Sequence, residues 1–178
     1  CKSVSSPKGL DQCSHLILPG NGTFSEEISY IKEKQLFSHI NDFVSKGNFV
    51  LGICLGMHLL LSIGEEMGTK SGLNMIKGKA SRMLDIDNKE MLPNIGWCKI
   101  SAASQSRLLG NDCKEDFFYF MHSYFSSGVD EKHVTGNFFY GKKRPAVIEK
   151  DNIFGVQFHP EKSLLPGLKL IQKFASLR

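Results

Sequence analysis

Phe49-Val50-Leu51-Gly52-Ile53-Cys54-Leu55-Gly56-Met57-His58-Leu59-Leu60-Leu61 decides how the rest of the chain is read. Phe49 to Ile53 is a continuous apolar run, the pattern of a strand covered on both faces. Gly52 and Gly56 bracket Cys54 and leave it without side chains on either side. The apolar run then continues through Leu59, Leu60, Leu61 and Ile63 as a helix that stops at Gly64. Strand, tight turn and helix around G-x-C-x-G form a nucleophile elbow with Cys in the usual Ser position. Such a turn lifts the side chain above the sheet, and the first N–H groups of the helix point at it. Those groups lower a thiol pKa and can bind an oxyanion. A small buried Cys in a Gly-rich turn is the alternative that this stretch alone leaves open.

Upstream, His15-Leu16-Ile17-Leu18 reads as a short buried strand stopped by Pro19-Gly20-Asn21-Gly22. Two glycines and an Asn let that loop adopt positive φ and approach a ligand closely, although a plain turn has the same composition. Thr23 or Ser25 can cap the next helix, with Glu26 and Glu27 in its first turn. Ile28, Ile31, Leu36, Ile40, Phe43 and Val44 form its broken apolar stripe, ended by Gly47. Two βα units in succession predict a parallel α/β sheet, with ligands at the carboxyl ends of its strands. Both Pro19–Gly22 and Cys54 fall at such ends.

At 178 residues, one domain over 1–178 is expected, with a sizeable core. The net charge of +4 is dispersed, and the one basic run, Gly141-Lys142-Lys143-Arg144, reads as a solvated turn and not a nucleic-acid patch. Cys1, Cys13, Cys54, Cys98 and Cys113 show no C-x-x-C spacing, so neither a metal site nor a disulfide framework is indicated. That usage fits a reducing cytoplasm. No apolar run reaches the roughly 18 residues that span a bilayer.

The segment Gly64 to Gly78 reads as irregular surface chain, Lys79 to Ile86 as a strand, and Leu92 to Trp97 as a loop. Its Trp97 is either core packing or an exposed anchor for a partner. Asp116 to Met121 is a strongly aromatic strand ending in His122-Ser123-Tyr124, where polar groups suit substrate contact or a simple exit turn. Strands are expected at 132–140, 145–149 and 153–158, and a closing helix from about Pro166. The second half therefore adds antiparallel strands to a parallel core.

A cysteine nucleophile needs a base, and the base an orienting group. Among six histidines, His159 ends a strand, and Pro160 after it stops sheet pairing. Glu161 lies two residues on, which in extended chain projects to the same side. Its carboxylate can hold the imidazole in one tautomer. Read without Cys54, His-Pro-Glu is equally a surface turn.

The elbow at Gly52–Gly56, the loop Pro19–Gly22 and Gly155-Val156-Gln157-Phe158-His159-Pro160-Glu161 together resemble the class I (triad) glutamine amidotransferases. Pro93-Asn94-Ile95-Gly96-Trp97, Tyr119-Phe120-Met121-His122-Ser123-Tyr124 and His159-Pro160-Glu161-Lys162-Ser163 resemble, more narrowly, the glutaminase subunits of imidazole glycerol phosphate synthases. These motifs cover 15–175.

The resemblance implies a flavodoxin-like fold with a mostly parallel central sheet flanked by helices and an antiparallel portion in the second half. It implies that Cys54 attacks the side-chain amide of glutamine, His159 moves protons and Glu161 orients His159. Oxyanion donors are expected from the backbone of Leu55 and Asn21. Gly20, Gly22, Gly56, His58, His122, Ser123 and Tyr124 are expected around glutamine. A thioester forms, and ammonia passes to a (β/α)8-barrel cyclase subunit in a heterodimer serving histidine biosynthesis. Asn94, Trp97 and Lys162 match positions at that interface. No metal or cofactor is implied.

Two positions depart from the family pattern. His58 stands where Gln is usual, and Asn21 where an apolar residue is usual; Asn accepts positive φ more readily, so an easier peptide flip and a higher basal glutaminase rate are expected. Family members also begin with a further strand and helix, which are expected to precede Cys1. A related glutaminase feeding another synthase, such as one that amidates a surface-polysaccharide sugar, and a silent binding module of the same fold are the alternatives.

Overall fold

The structure, a computed structural model, describes residues 2–20, 22–83, 91–110 and 116–178. In chain order the elements are β1 (His15–Leu18), α1 (Phe24–Glu33), α2 (Leu36–Ser45), β2 (Phe49–Ile53), α3 (Leu55–Leu59), β3 (Leu61–Gly64), β4 (Lys70–Ser71), β5 (Ile76–Arg82) and β6 (Asn94–Ala102). They continue with β7 (Phe117–His122), β8 (Tyr124–Ser127), β9 (Val134–Tyr140), β10 (Lys142–Lys150), β11 (Ile153–Val156) and α4 (Leu164–Ala175). None of the described helices is long and apolar enough to cross a membrane.

Seven strands form one sheet in the order β1-β2-β11-β10-β9-β6-β7, and β4-β3-β5-β8 form a smaller one. β2 lies parallel to both β1 and β11, whereas the pairs from β11 through β10, β9, β6 and β7 are antiparallel. Among the described residues the antiparallel portion is therefore the larger one. The reason is local: β9, β10 and β11 follow one another through tight turns, and short connections force antiparallel pairing.

Alternation along β2 and β11 divides the core into two layers. Val50 and Ile153 point into a cluster with Phe24, Ile28, Ile31, Ile40 and Phe43 of α1 and α2. Leu51 and Phe154 point the other way, towards Leu170 and Phe174 of α4. Leu170 and Phe174 are fully buried, and each such side chain stabilises by about 2 kcal/mol on area grounds. Four phenylalanines stack across the strands nearest the site, Phe118 on Phe158 at 4.2 Å and Phe120 on Phe138 at 4.4 Å between centroids.

Several elements differ from the sequence expectation. The first helical stripe is two helices. Thr23 caps α1 in a reciprocal box with Glu26, and Gln35 at φ +56 breaks the chain before α2. Five residues separate Ile31 from Leu36, too far out of phase for one helical face, and the break restores the phase. The helix after Cys54 ends at Leu59, and Leu61–Gly64 is strand β3 instead. The segment after Gly64 is no surface loop throughout: Leu73 and Met75 are buried, and their N–H groups donate to Leu59 O and Leu60 O. That backbone strap takes the carbonyls a longer helix would have used. Trp97 lies in β6, which starts at Asn94, and Gly141-Lys142-Lys143-Arg144 enters β10 with Arg144 buried, its Nε donating to Tyr140 O. The strand expected to Ile86 is β5, ending at Arg82; Ile86 itself lies outside the described residues.

Candidate active site

Three parallel strands lie side by side and release three loops at one end. Leu18 is level with Gly52 in the β1–β2 pair, and Ile53 with Val156 in the β2–β11 pair. The chain therefore leaves β1 into Pro19–Gly22, β2 into Cys54 and β11 into Gln157–Glu161 on the same side of the sheet, where ligands of such sheets sit. The Cys54 N–H donates to Val156 O at 2.8 Å, so the register carries one residue past the strand end.

Cys54 has φ +53 and ψ −109, a strained conformation for a residue with a side chain. Packing imposes it. A Cβ on Gly56 would lie 1.8 Å from Leu18 O, and one on Gly52 2.4 Å from Gly56 O. Neither position tolerates a side chain, so the turn can only be made with glycine on both sides of Cys54. The loop after β1 seats on the same turn: a Cβ on Gly20 would lie 2.4 Å from that of Leu55. Asn21 lies outside the described residues.

Burial pushes the Cys54 thiol up to about 11, because the ion has lost its water. The Leu55 N–H, at the start of α3, pulls it down, the Glu161 carboxylate pushes it up, the Gln157 amide pulls it down, and Glu66 adds a smaller upward push. At neutral pH the resting group is a thiol, weakly donating to Met121 O at 3.8 Å. The Leu55 N–H that faces the sulfur is one of the two expected oxyanion donors.

His159 is buried, and its N–H donates to Tyr119 O across to β7. Its Nδ1 lies 2.7 Å from Glu161 Oε1, and its Nε2 is buried without a hydrogen-bond partner. With Nδ1–H given to the carboxylate, Nε2 carries a lone pair free to accept a proton. The chain does not run extended between the two residues; a 3-10 turn at Pro160–Lys162 brings Glu161 round, and Ser163 Oγ closes it on His159 O at 2.6 Å.

The remaining expected residues divide. Gly20 packs on the elbow against Leu55, Gly56 is in the elbow itself, and Gly22 lies against Glu26 and Glu27 of α1. Ser123 and Tyr124 are half-buried at the junction of β7 and β8. His122 is buried with both nitrogens engaged, Nδ1 donating to Tyr124 O at 2.7 Å and Nε2 facing Asn94 Nδ2 at 3.2 Å. Burial holds it near 3, hence neutral. Asn94, expected at a partner interface, is buried and turned inwards to His122, because alternation along β6 sends it opposite to Ile95. His58, expected beside glutamine, is buried in the core, bonded at Nε2 to Gln157 Oε1 at 2.9 Å and held near 4 by burial. Trp97 and Lys162 are exposed, and both lie over Tyr119, the indole edge-on at 5.9 Å and the ammonium 5.9 Å from the ring centroid.

Two residues escaped the sequence reading. Gln157 is completely buried with Nε2 3.9 Å from Cys54 Sγ; a polar residue inside an apolar strand run was the available signal. Glu66 accepts from the Phe24 N–H at 2.8 Å and is felt by Cys54, yet nothing in the pattern after Gly64 marks it. Among the described residues no group of three or more His, Cys, Asp or Glu side chains is arranged to hold a metal ion.

A buried cysteine on a strained strand-to-helix turn, with a carboxylate-held imidazole just past the end of the neighbouring parallel strand, is the arrangement of cysteine acyl-transfer enzymes. The chain belongs to the class-I glutamine amidotransferase family, whose model matches residues 6–176. It is 40% identical over 174 residues to the imidazole glycerol phosphate synthase subunit HisH of Bacillus subtilis (strain 168), covering 96% of this chain and 82% of that protein. The same subunit of Chlorobium chlorochromatii is also 40% identical over 174 residues, covering 97% and 86%. Among solved structures, a glutamine amidotransferase superimposes with a TM-score of 0.75 at 15% identity over 98% of this chain and 86% of its own. PurLQS from Thermotoga maritima does so at 0.67 and 18%, over 93% and 80%. At such identities the two structures speak for the fold alone.

Proposed function

We propose that this chain is the glutaminase subunit of an imidazole glycerol phosphate synthase. The observation that carries the reading is the convergence of Cys54, the His159–Glu161 pair and the Gly-rich loop at the ends of β2, β11 and β1. Glutamine binds with its side-chain amide over the sulfur. Glu66 offers a carboxylate for its ammonium group. Cys54 gives its proton to His159 Nε2, and the thiolate attacks the amide carbon. The carbonyl π pair moves onto oxygen, which the Leu55 N–H stabilises; one such donor is worth about 3 kcal/mol. The imidazolium returns the proton to the leaving nitrogen, the C–N bond breaks, and ammonia departs from a glutamyl thioester. Water, deprotonated by His159, then attacks the thioester and releases glutamate, and the sulfur takes the proton back.

The acceptor of the ammonia is a cyclase subunit docked next to the thiol. Ile95, Trp97 and Met121 are exposed on one face of β6 and β7, with Leu165 and Leu168 exposed on α4. Met121 joins the two regions, since its carbonyl accepts from the thiol while its side chain faces solvent. Glutamine hydrolysis, measured alone and with a (β/α)8-barrel cyclase plus its nucleotide substrate, tests the reading. A stimulation of at least about 100-fold is expected, the scale of a correctly assembled catalytic site. An active glutaminase that the cyclase leaves unchanged and another synthase stimulates would overturn the choice of acceptor.

A further inference from the structure

Resting on Cys54 as the nucleophile, we propose that His58 is a positioning residue: its Nε2–H fixes the Gln157 carboxamide so that the amide N–H of Gln157 faces the Cys54 sulfur. His58 lies four residues after Cys54 on α3, and its own N–H donates to Cys54 O at 3.3 Å. Gln157 lies two residues before His159, just past β11. The hydrogen bond between the two side chains therefore ties the element carrying the nucleophile to the element carrying the base.

A buried carboxamide has two orientations, and its neighbours choose between them. Gln157 Oε1 is 2.9 Å from His58 Nε2, and Gln157 Nε2 is 3.9 Å from Cys54 Sγ. A neutral imidazole with a carbonyl oxygen at Nε2 must carry its proton there. The flipped amide would set N–H against N–H at His58 and a carbonyl oxygen against the sulfur. The first contact is repulsive and the second becomes so once Cys54 is ionised, and neither side chain has water to turn to, since His58 and Gln157 are both buried. The tautomer of His58 thus decides which edge of Gln157 the sulfur meets.

That edge matters most when the sulfur is ionised. Glu161 and Glu66 both disfavour the anion, so the donors facing it, the Leu55 N–H and the Gln157 amide, must offset them. Of the other charged or titratable groups, His122 and His159 lie close to one another and His122 also to His58 and Arg144. The ring of His58 has its one hydrogen-bond donor directed at Gln157, so it acts on the sulfur through that amide and not on glutamine.

Two measurements on the full chain, alone and with its cyclase partner, test this. In ¹⁵N imidazole spectra His58 is expected as the neutral Nε2–H form from about pH 5.5 to 8. An Nδ1–H form, or an ordinary titration near neutrality, overturns the proposal, and this readout needs no variant. His58→Leu removes the donor and His58→Gln keeps one at a similar reach. Once each is shown folded by melting, His58→Leu is expected to lower kcat about 10-fold with KM changed less than about 2-fold, and His58→Gln to recover to within about 3-fold. The alkylation rate of Cys54, followed by mass spectrometry of its peptide against pH, should move to higher pH in His58→Leu only. A raised KM at unchanged kcat would make His58 a substrate contact and overturn the proposal, as would an unmoved alkylation profile. Wild-type protein without glutaminase activity and with an unreactive Cys54 would instead overturn the function proposed above, before any variant is made.

Discussion

The two ends of the seven-stranded sheet handle their side chains in opposite ways. At the parallel end, β2 and β11 are buried on both faces, β1 is half-buried at the edge of the sheet, and glycines at 20, 52 and 56 let the chain pack closely around Cys54. At the other edge, β6 and β7 leave Ile95, Trp97 and Met121 in solvent, at 57%, 47% and 40% exposure. The first region is held, among the described residues, by close backbone contacts around the turn. The second carries, among the described residues, exposed apolar area of the kind that docks another molecule. A reactive group is positioned by tight packing, whereas a docking face must remain unsatisfied until its partner arrives.

Four substitutions or conditions would break or sharpen that contrast. Cys54→Ala should abolish glutamine turnover by at least about 10⁴-fold while leaving the melting temperature close to wild type. Residual turnover above that level would remove Cys54 from the chemistry. Gly56→Ala tests the packing at the parallel end. Its Cβ would meet backbone, which cannot give way as a flexible side chain can, so a loss of about 3 kcal/mol or more is expected in urea unfolding. A melting curve unchanged by the extra methyl would mean that the turn is looser than the close approach of Leu18 O implies.

Acidification should weaken the same region. His58 and His122 are held down by burial, near 4 and near 3, so the unfolded chain binds protons that the folded chain refuses. Stability is then whole above about pH 6.5 and falls as pH drops towards 4, by up to about 1.4 kcal/mol per pH unit for each histidine. Unfolding midpoints in urea at pH 7, 6, 5 and 4.5 read this directly, and a flat series would place neither ring in the core. The smallest effect is expected at the open edge. Trp97→Ala should leave melting and basal glutamine hydrolysis unchanged and weaken cyclase binding about 10- to 100-fold. Equal binding by calorimetry would move the interface elsewhere.

The elbow was legible because its glycine spacing around Cys54 is local. Gly52 and Gly56 bracket Cys54 at elbow spacing and the apolar run before it reads as a buried strand, whereas the contact that forbids a side chain at 56 is with Leu18 O of β1. The His159-x-Glu161 pairing was legible for the same reason, although a 3-10 turn and not extended chain brings the carboxylate round. What could not be read depended on neighbours distant in sequence. The helix after Cys54 stops after Leu59 because the strap at 73–76 takes its last carbonyls. Arg144 in a basic run looked solvated, yet its guanidinium lies 4.5 Å from the Phe125 ring centroid and is buried there. Asn94 and Trp97 belong to one short motif, but strand alternation turns the first inwards and the second outwards.

The order of residues alone marked the candidates for the chemistry: one cysteine bracketed by glycines two positions away on either side, and one histidine with a carboxylate two positions on. Those are short-range facts of spacing. Tertiary structure decided the partners of the buried polar side chains around the site, above all that His58 meets Gln157 and His122 meets Asn94. A buried donor must find an acceptor wherever packing puts one, and packing is a property of the folded chain and not of any stretch within it.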